Sequence, residues 1–502
     1  MTKIKIALCQ MNVIDNKEEN LKKASSMINK ACKNADFIVL PEMFNCPYSN
    51  DKFIEYGEVE NDSYTLNQIS SLAKSNKTYI LAGSIPEKEN EKLFHWPIVT
   101  QEDIQAVTEV LEAGSMSGSD ITKQFEKEYA AWNGTKYALG TCNGTAALLA
   151  AMWACGVGAG DEVIAPALTY WATALPAISL GASVNFTDIQ PDTLGMDPED
   201  IEHRIGPRTK AIIVVNYAAL PADWDPIMAI ARKHNLYVIE DNSHAHGAIY
   251  KGRMCGSIAD ISAASLMSGK SLAAGEAGMI TTDNRVLYER CIAFGHYERT
   301  GMPSNYNPVD AQVHEEDLLP FRGMPMGGVK HRMNQTCAAM GRVQLKYYPE
   351  RIAEIDKAMN YFCDGIEHIP GVKGLRTKFE NSTQGGWYAC KGSYNAEAMK
   401  GVSCAKFCEA VMAEGCTARP GGNMPMHLHK VFHDLDFFRQ GKPTVLAFGQ
   451  RDVRQGAGTL PVTENTPDTI WSLPWFKHFD KAAIDLHIAA VEKVAANLDE
   501  LI

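Results

Sequence analysis

The feature that most constrains the fold is a regular alternation of short apolar segments with alanine-rich segments over residues 94–335. The apolar segments have the length of strands, and the segments between them repeat their apolar residues at helical spacing. The strand-like segments are 137–140, 162–165, 183–186, 211–215, 237–239 and 279–281. Strands that are joined by helices run parallel, and a parallel sheet is covered on both faces. The pattern therefore predicts an α/β fold, with a mostly parallel sheet between helices.

The flanking residues predict two further parts of the chain. Residues 1–93 alternate strand and helix signals in a βαβαβ pattern, and Thr100 with Asp103 then forms a capping box that starts a new helix. Residues 336–502 begin with a long helical pattern and continue with mixed strands and helices. A chain of 502 residues is long enough for several domains. We expect three domains, at 1–93, 94–335 and 336–502, of which the last is a smaller α+β domain.

Charge and composition narrow the class of partner. The formal net charge is −12 without a cluster of Lys and Arg, which argues against nucleic acid as a partner. No apolar run approaches the roughly 18 residues of a membrane span, and the start MTKIKIALCQMNV lacks the features of a signal peptide. The 13 cysteines show no CxxC pair, a pattern typical of reduced thiols. We expect a cytoplasmic protein that binds small molecules and neither nucleic acid nor membrane.

The segment VIEDNSHAHG, residues 238–247, places an acid at the end of an apolar strand. Ligands collect at the carboxyl ends of strands in open α/β sheets. Asp241 is therefore a candidate for holding the protonated nitrogen of a pyridine ring, which makes such a ring an electron sink. Taken alone, an acid at the end of a strand is more often a helix cap or a metal ligand.

Lys270 lies in SLMSGKSLAAGEAG, residues 265–278, among small residues that allow a flat cofactor to approach closely. A lysine that forms an imine must lose its proton near neutral pH, which requires burial or nearby positive charge. The alternative is a solvated loop lysine. Asp241 and the segment GEAG that follows Lys270 both lie within about thirty residues of it. Their presence favours the imine-forming role.

Two further motifs lie upstream. A strand turns into an alanine-rich helix at Asn143, Gly144 and Thr145. Such a helix start is either a phosphate site or a plain N-cap, and the sequence alone leaves both explanations open. Tyr170 and Trp171 directly follow another strand, so that one of them is a candidate for stacking on a cofactor ring while the other packs in the core.

One histidine cluster resembles a metal site. His427, His429 and His433 lie close to Asp434, but their spacing does not match a Cys/His metal motif. We expect no metal there.

These motifs together resemble the DegT/DnrJ/EryC1/StrS family of pyridoxal 5′-phosphate-dependent sugar aminotransferases over residues 95–502. The matching segments follow one another in order as GDEVIAP, TYWATALPAI, RTKAIIVV, PADWDPI, IEDNSHAHGA, Ser265–Lys270, GEAG and SLPWF. The resemblance implies the fold of fold-type I aminotransferases, in which a mostly parallel sheet of seven strands lies between helices. It also implies pyridoxal phosphate as cofactor.

The resemblance implies a role for each matching residue. Lys270 would form the Schiff base with the cofactor, Asp241 would pair with its pyridine nitrogen, and His244 would lie near its ring hydroxyl. The phosphate would be held by Gly144, Thr145 and Ser265, and Tyr170 would cover the ring. A neighbouring subunit of a homodimer would supply Lys330, from GVKHRM at residues 328–333. Ala277 and Ala219-Leu220 depart from positions that are commonly Gly or Gly-containing in the family.

Residues 1–93 resemble a different family, the nitrilase-type carbon–nitrogen hydrolases. The segments that carry the resemblance are IKIALCQMNV, FIVLPEMFNCPY and YILAGSIPE. The family's general base would correspond to Glu42, but its lysine and its nucleophilic cysteine would lie further along the chain, beyond the point where the resemblance changes. Cys46 is too early to be that nucleophile, and we expect it to be a packed thiol. The segment would be an incomplete part of the hydrolase sandwich.

The function that follows is transamination, with an amino group passing from glutamate or glutamine to a keto-sugar or keto-cyclitol. The alternatives are amide hydrolysis by the N-terminal segment and a non-catalytic protein that binds pyridoxal phosphate.

Overall fold

The structure is a computed structural model, and it describes residues 4–47, 49, 52, 56–58, 63–83, 94–301 and 312–501. The chain divides into two compact units, Met1–His95 and Trp96–Ile502. The domain boundary expected near residue 93 lies outside the described residues. No helix among the described residues is long and apolar enough to cross a membrane.

The first unit contains a three-stranded parallel sheet in the order β1-β2-β3. Its strands and helices follow the predicted βαβαβ order: β1 (Ile6–Leu8), α1 (Lys17–Ala31), β2 (Phe37–Val39), α2 (Tyr64–Asn76) and β3 (Tyr79–Leu81). Both helices begin with a side-chain cap. The Asn16 side chain accepts a hydrogen bond from the Glu19 N–H, and the Ser63 side chain accepts one from the Leu66 N–H. Cys46 is fully buried, as expected for a packed thiol.

The second unit is built on a seven-stranded sheet in the order β4-β12-β11-β8-β7-β5-β6. Only β12 runs antiparallel to its neighbours, so the predicted mostly parallel sheet is present. The strands are β4 (Tyr137–Thr141), β5 (Glu162–Pro166), β6 (Ser183–Thr187), β7 (Thr209–Val215), β8 (Tyr237–Asp241), β11 (Ile261–Ser265) and β12 (Gly278–Thr282); a separate two-stranded ribbon consists of β9 (Ile249–Tyr250) and β10 (Arg253–Met254).

Helices cover both faces of this sheet. Neighbouring residues of a strand point to opposite faces, so Ile213 and Ile239 join one apolar cluster while Ile212 and Val238 join another. The helices up to residue 366 are α3 (Gln101–Glu112), α4 (Asp120–Asn133), α5 (Gly144–Ala154), α6 (Leu175–Ser179), α7 (Pro198–Arg204), α8 (Trp224–Lys233), α9 (Arg285–Gly295) and α10 (Gln335–Ile366). The capping box predicted at Thr100 and Asp103 starts α3.

A second sheet of four antiparallel strands follows, in the order β13-β14-β16-β15. Its strands are β13 (Val372–Gly374), β14 (Lys391–Tyr394), β15 (Arg419–Pro420) and β16 (Ile470–Ser472), and the remaining helices are α11 (Cys404–Ala413), α12 (Val431–Asp434), α13 (Thr444–Ala447), α14 (Pro461–Glu464), α15 (Thr466–Thr469) and α16 (Lys481–Ala496). All of these elements lie within the segment 336–502, whose status as a separate domain stays a prediction.

One strand of the large sheet was not predicted from the sequence. Ile261–Ser265 reads ISAAS, and its Ala and Ser residues have low strand propensity. The strand forms because it pairs with β8 on one side and β12 on the other. Burial between two neighbours therefore outweighs the local preference of these residues.

Candidate active site

A cavity of about 640 Å³ opens at the carboxyl ends of the parallel strands. This is where the crossover connections of an open α/β sheet leave room for a ligand. The lining residues are Asn143, Gly144, Thr145, Leu148, Thr169, Tyr170, Trp171, Ala172, Val215, Tyr217, Asp241, Ser243, His244, Ser265, Met267, Lys270, Glu276, Tyr388, Ala389, Lys391, Gly422 and Asn423. The last five come from the segment that carries the four-stranded sheet, so both parts of the second unit line the cavity.

Lys270 is a buried amine within this cavity, with 8% of its surface exposed. Its Nζ lies 4.2 Å from the ring centroid of Tyr388. Burial lowers the pKa of Lys270 to about 8, although the nearby charge of Asp241 acts to raise it. A lysine in this state carries a substantial fraction of uncharged amine near neutral pH, which is the form that attacks a carbonyl carbon.

Asp241 ends β8 and is only 5% exposed. Its Oδ2 accepts a hydrogen bond of 2.7 Å from the hydroxyl of Thr173, and its Oδ1 accepts one of 3.1 Å from the N–H of Ser243. The Thr173 hydroxyl in turn lies 2.7 Å from that of Thr169. These contacts hold a buried carboxylate in one orientation at the cavity wall, where it is able to pair with a protonated ring nitrogen.

The start of α5 packs directly on the end of β11. A Cβ atom added to Gly144 would lie 2.7 Å from the Cβ of Ser265, closer than side chains approach one another. The Asn143 side chain accepts a hydrogen bond from the Ala146 N–H and so caps the helix. The N–H groups of a first helical turn point out of the helix, where they are able to bind an anion. Gly144, Thr145 and Ser265 therefore form a cradle that suits a phosphate group.

His244 is buried at the cavity wall, and the pKa of its ring is held well below the usual value. The largest cause is burial, followed by the positive charges of Lys270, His246 and Lys391. Its Nδ1 accepts a hydrogen bond of 3.4 Å from the Ala218 N–H. His244 is therefore a neutral imidazole.

Aromatic side chains line the mouth of the cavity. Tyr170 is 50% exposed, and its ring centroid lies 5.0 Å from that of Trp171. Deeper in the cavity, the Tyr388 ring packs edge-on against His244 at 4.9 Å. The exposed pair is available to cover a planar ligand.

The structure brings together seven of the eight residues singled out from the sequence. Gly144, Thr145, Tyr170, Asp241, His244, Ser265 and Lys270 all line the cavity. Lys330 does not: its side chain is exposed, and its Nζ lies 5.4 Å from the ring centroid of Tyr297. Its expected contribution across a subunit interface stays a prediction.

Sequence reasoning missed three residues of the site. Thr173 stands four positions after Thr169, a spacing that indicates contact between the two threonines, but no local signal places them beside Asp241. Lys391 begins a strand of the four-stranded sheet and Tyr388 lies in the turn before it, more than a hundred residues after Lys270, where no local motif marks them.

Two histidines of the cluster at 427–434 make hydrogen-bond contacts within the chain. His427 Nε2 lies 3.0 Å from a carboxylate oxygen of Glu464, and the His427 carbonyl lies 2.6 Å from His433 Nε2. Within the described ranges, no group of three or more His, Cys, Asp and Glu side chains is placed to hold a metal.

Comparison with known proteins decides the family. The sequence model of the DegT/DnrJ/EryC1/StrS aminotransferase family matches residues 97–492, which is most of the chain. The chain belongs to this family. It is a pyridoxal-phosphate-dependent aminotransferase with the fold of its class, so the enzyme class, the cofactor and the fold predicted from the sequence are confirmed.

Similar proteins support this assignment of the aminotransferase. A putative L-glutamine:3-amino-2,3-dideoxy-scyllo-inosose aminotransferase from Micromonospora echinospora is 30% identical over 81% of this chain and 94% of its own length. The spore coat polysaccharide biosynthesis protein SpsC of Bacillus subtilis (strain 168) is 37% identical over 57% of this chain and 72% of its own length. The X-ray structure of an aminotransferase from Psychrobacter cryohalolentis covers 81% of this chain and 100% of that chain, at 30% identity and a TM-score of 0.69.

The N-terminal resemblance also has a counterpart among known families. The sequence model of carbon–nitrogen hydrolases matches residues 5–110, as expected from the motifs around Glu42. This match extends into helix α3 (Gln101–Glu112), which belongs to the second compact unit of the structure. There the Gln344 side chain donates a hydrogen bond of 2.7 Å to Asp103, which ties α3 to α10 of the aminotransferase.

The residues of the cavity fit pyridoxal phosphate. Gly144 leaves the space in which α5 and β11 form a phosphate cradle, Asp241 offers a fixed carboxylate, and Lys270 offers a buried amine of lowered pKa. These are the three groups that this cofactor requires of a protein.

Proposed function

We propose that this aminotransferase moves an amino group from glutamate or glutamine to a keto-sugar or keto-cyclitol, and that Lys270 is its catalytic residue. The observation that carries the proposal is the burial of the Lys270 amine in the same cavity as Asp241 and the phosphate cradle. The acceptor class is supported by the relatives, whose names include an inosose aminotransferase and GDP-perosamine synthase of Escherichia coli O157:H7.

Each residue of the site has a distinct task in this reaction. Bound pyridoxal phosphate supplies the electron-withdrawing ring that makes the hydrogen on the carbon bearing nitrogen acidic. Lys270, when its amine is uncharged, would hold the cofactor by condensing with its aldehyde, with loss of water. Once the amino donor has taken its place, the freed amine would act as general base and acid and move a proton from the donor carbon that bears nitrogen to the cofactor. Asp241 keeps the ring nitrogen protonated, which maintains the ring as an acceptor of electrons.

The remaining residues orient the ring. The N–H groups of Gly144 and Thr145 and the Ser265 hydroxyl hold the phosphate at the helix start. His244 is a neutral imidazole whose Nδ1 accepts from the Ala218 N–H, so its Nε2 carries the hydrogen and is able to donate it to the oxygen on the ring without adding charge. Tyr170 covers the exposed face and keeps water away.

The proposal includes a homodimer in which the partner supplies Lys330. Lys330 is exposed and lies outside the cavity of its own chain, which supports a role at the site of a second copy. A site completed by both subunits is compatible with the isologous interface of a two-fold dimer, in which each chain gives the same residues to the other.

The test is an amination assay with purified protein and pyridoxal phosphate. Keto-cyclitols and nucleotide-linked keto-sugars are offered as acceptors with glutamate or glutamine, and the amine product is detected by mass spectrometry. We expect at least one acceptor of these classes to be aminated, and Lys270→Ala to reduce turnover by about a thousandfold or more because it removes the general base.

Matched measurements make the assay decisive. Lys373→Met removes an exposed lysine of β13 and should leave turnover unchanged. Normal turnover by Lys270→Ala would contradict the role of Lys270. Conversion of the cofactor by glutamate without amination of any keto-sugar or keto-cyclitol would contradict the acceptor class. Release of ammonia from amides that persists in Lys270→Ala would instead indicate hydrolysis by the N-terminal segment.

A further inference from the structure

A second buried lysine lines the cavity and has no task in the chemistry described above. Lys391 is the first residue of β14 and is 8% exposed. Its Nζ donates hydrogen bonds of 2.8 Å to the Gly421 carbonyl and 2.8 Å to the Ser472 hydroxyl. An ammonium group has three N–H donors, so these two contacts fix its position and leave one donor for a ligand.

Lys391 lies on a different element from the residues of the phosphate cradle. The cradle lies at the start of α5 and the end of β11, whereas Lys391 belongs to the four-stranded sheet. Its positive charge and that of Lys270 both act on the ring of His244. Lys391, His244 and Lys270 all line the one cavity in which the donor must react.

The charge of the donor requires a cation in this part of the cavity. Glutamate and glutamine carry a carboxylate on the very carbon that bears the reacting nitrogen, and burying an unpaired carboxylate is costly. Among the described residues that line the cavity there is no arginine, and Lys270 and Lys391 are the two lysines. Lys270 must be uncharged when it reacts, so Lys391 is the cation of this chain that remains to pair with the carboxylate.

We infer that Lys391 is the residue that binds a carboxylate of the amino-acid donor, an inference that rests on the proposed function. The ammonium group, held by Gly421 and Ser472, gives a charge-assisted hydrogen bond to the carboxylate. In this position it orients the donor so that its amino group points toward Lys270. It is a specificity residue for donors that carry a carboxylate.

The test compares Lys391→Met with the unaltered holoenzyme in each half of the reaction separately. Loss of one charge-assisted hydrogen bond in a buried site should weaken the apparent affinity for the donor by about tenfold to a hundredfold. The rate with a keto acceptor, measured on enzyme whose cofactor is already aminated, should change less than threefold. Glutarate, which binds without reacting, should bind more weakly by the same factor in calorimetry, a readout that is independent of turnover.

Comparison of two donors locates the carboxylate. Weakening of both glutamate and glutamine indicates the carboxylate next to the reacting carbon, and weakening of glutamate alone indicates the side-chain carboxylate; both outcomes support the inference. Lys373→Met is the matched control, since it removes an exposed lysine from the same sheet. Lys391→Gln, which keeps a polar head, distinguishes lost charge from disturbed packing, and circular dichroism checks that both variants are folded.

Two outcomes would overturn the inference. One is an unchanged affinity for both donors and for glutarate in folded Lys391→Met. The other is a weakened affinity for the keto acceptor alone, which would assign Lys391 to the acceptor. Failure of the proposed function is distinguishable from these, because the unaltered enzyme would then fail in the reaction with the donor or the acceptor before any variant is compared.

Discussion

The tasks proposed for Lys270 and Lys391 differ because the surroundings of the two side chains differ. Both are buried to the same extent, at 8% exposure. The two partners of Lys391 are hydrogen-bond acceptors that hold its ammonium group, whereas Lys270 lies over the ring of Tyr388 and is influenced by the charge of Asp241. A lysine that is held by acceptors suits binding of an anion, and one that is desolvated without them suits nucleophilic attack.

This difference predicts the pH dependence of Lys270 in the apoprotein. The pKa is lowered to about 8, so the reactive uncharged amine increases as the pH rises toward 8 and levels off above it. Acetylation of Lys270 by a water-soluble anhydride, quantified on its peptide by mass spectrometry, should follow this curve. The exposed Lys373 corrects for the pH dependence of the reagent. A midpoint near the ordinary lysine value of about 10.4 would refute the assignment.

At the scale of secondary structure, the site depends on the contact between the start of α5 and the end of β11. Helix propensity alone would favour Ala over Gly at position 144 by about 1 kcal/mol. A Cβ atom there would lie 2.7 Å from the Cβ of Ser265, so the helix start would have to move away from the strand. The cradle would widen, and the phosphate would lose hydrogen bonds.

Gly144→Ala is therefore expected to weaken binding of pyridoxal phosphate by about tenfold or more, the effect of one lost charge-assisted hydrogen bond. Titration of the apoprotein followed by absorbance measures this affinity. Gly158→Ala is the control, because its new Cβ would have no neighbour closer than 4.0 Å. An affinity of Gly144→Ala equal to that of the control would argue against a phosphate site at this helix start.

The elements also show what local sequence predicts and what it does not. The strand that ends in Asp241 and the helix that starts after Asn143 were predicted because apolar runs and capping residues are local signals. The strand Ile261–Ser265 was missed because its small residues form a strand only between two neighbours. Lys391 was missed for a related reason, since only the pairing of two distant strands brings it beside Ser472.

At the scale of the whole molecule, the chain combines parts that resemble two families. Residues 97–492 contain the aminotransferase, and residues 5–110 match carbon–nitrogen hydrolases. The expected homodimer and the contribution of Lys330 depend on a second copy of the chain, which no local sequence signal and no single chain can display.

We propose that Lys270, among all lysines of the chain, is the one that carries the cofactor. Three lysines of the described residues are buried, namely Lys270, Lys391 and Lys477, and burial lowers the pKa of each. Burial and a lowered pKa therefore do not by themselves select one of them. Lys477 does not line the cavity, and the hydrogen bonds of Lys391 to Gly421 and Ser472 support the different task proposed for it.

Reductive trapping separates these lysines directly. The full-length holoenzyme is treated with borohydride, which makes the link between cofactor and lysine permanent, and the digested protein is mapped by mass spectrometry. We predict the pyridoxyl group on the peptide that contains Lys270. Its presence on Lys391 or Lys477, or the absence of any labelled lysine in a holoenzyme that binds the cofactor, would contradict the account.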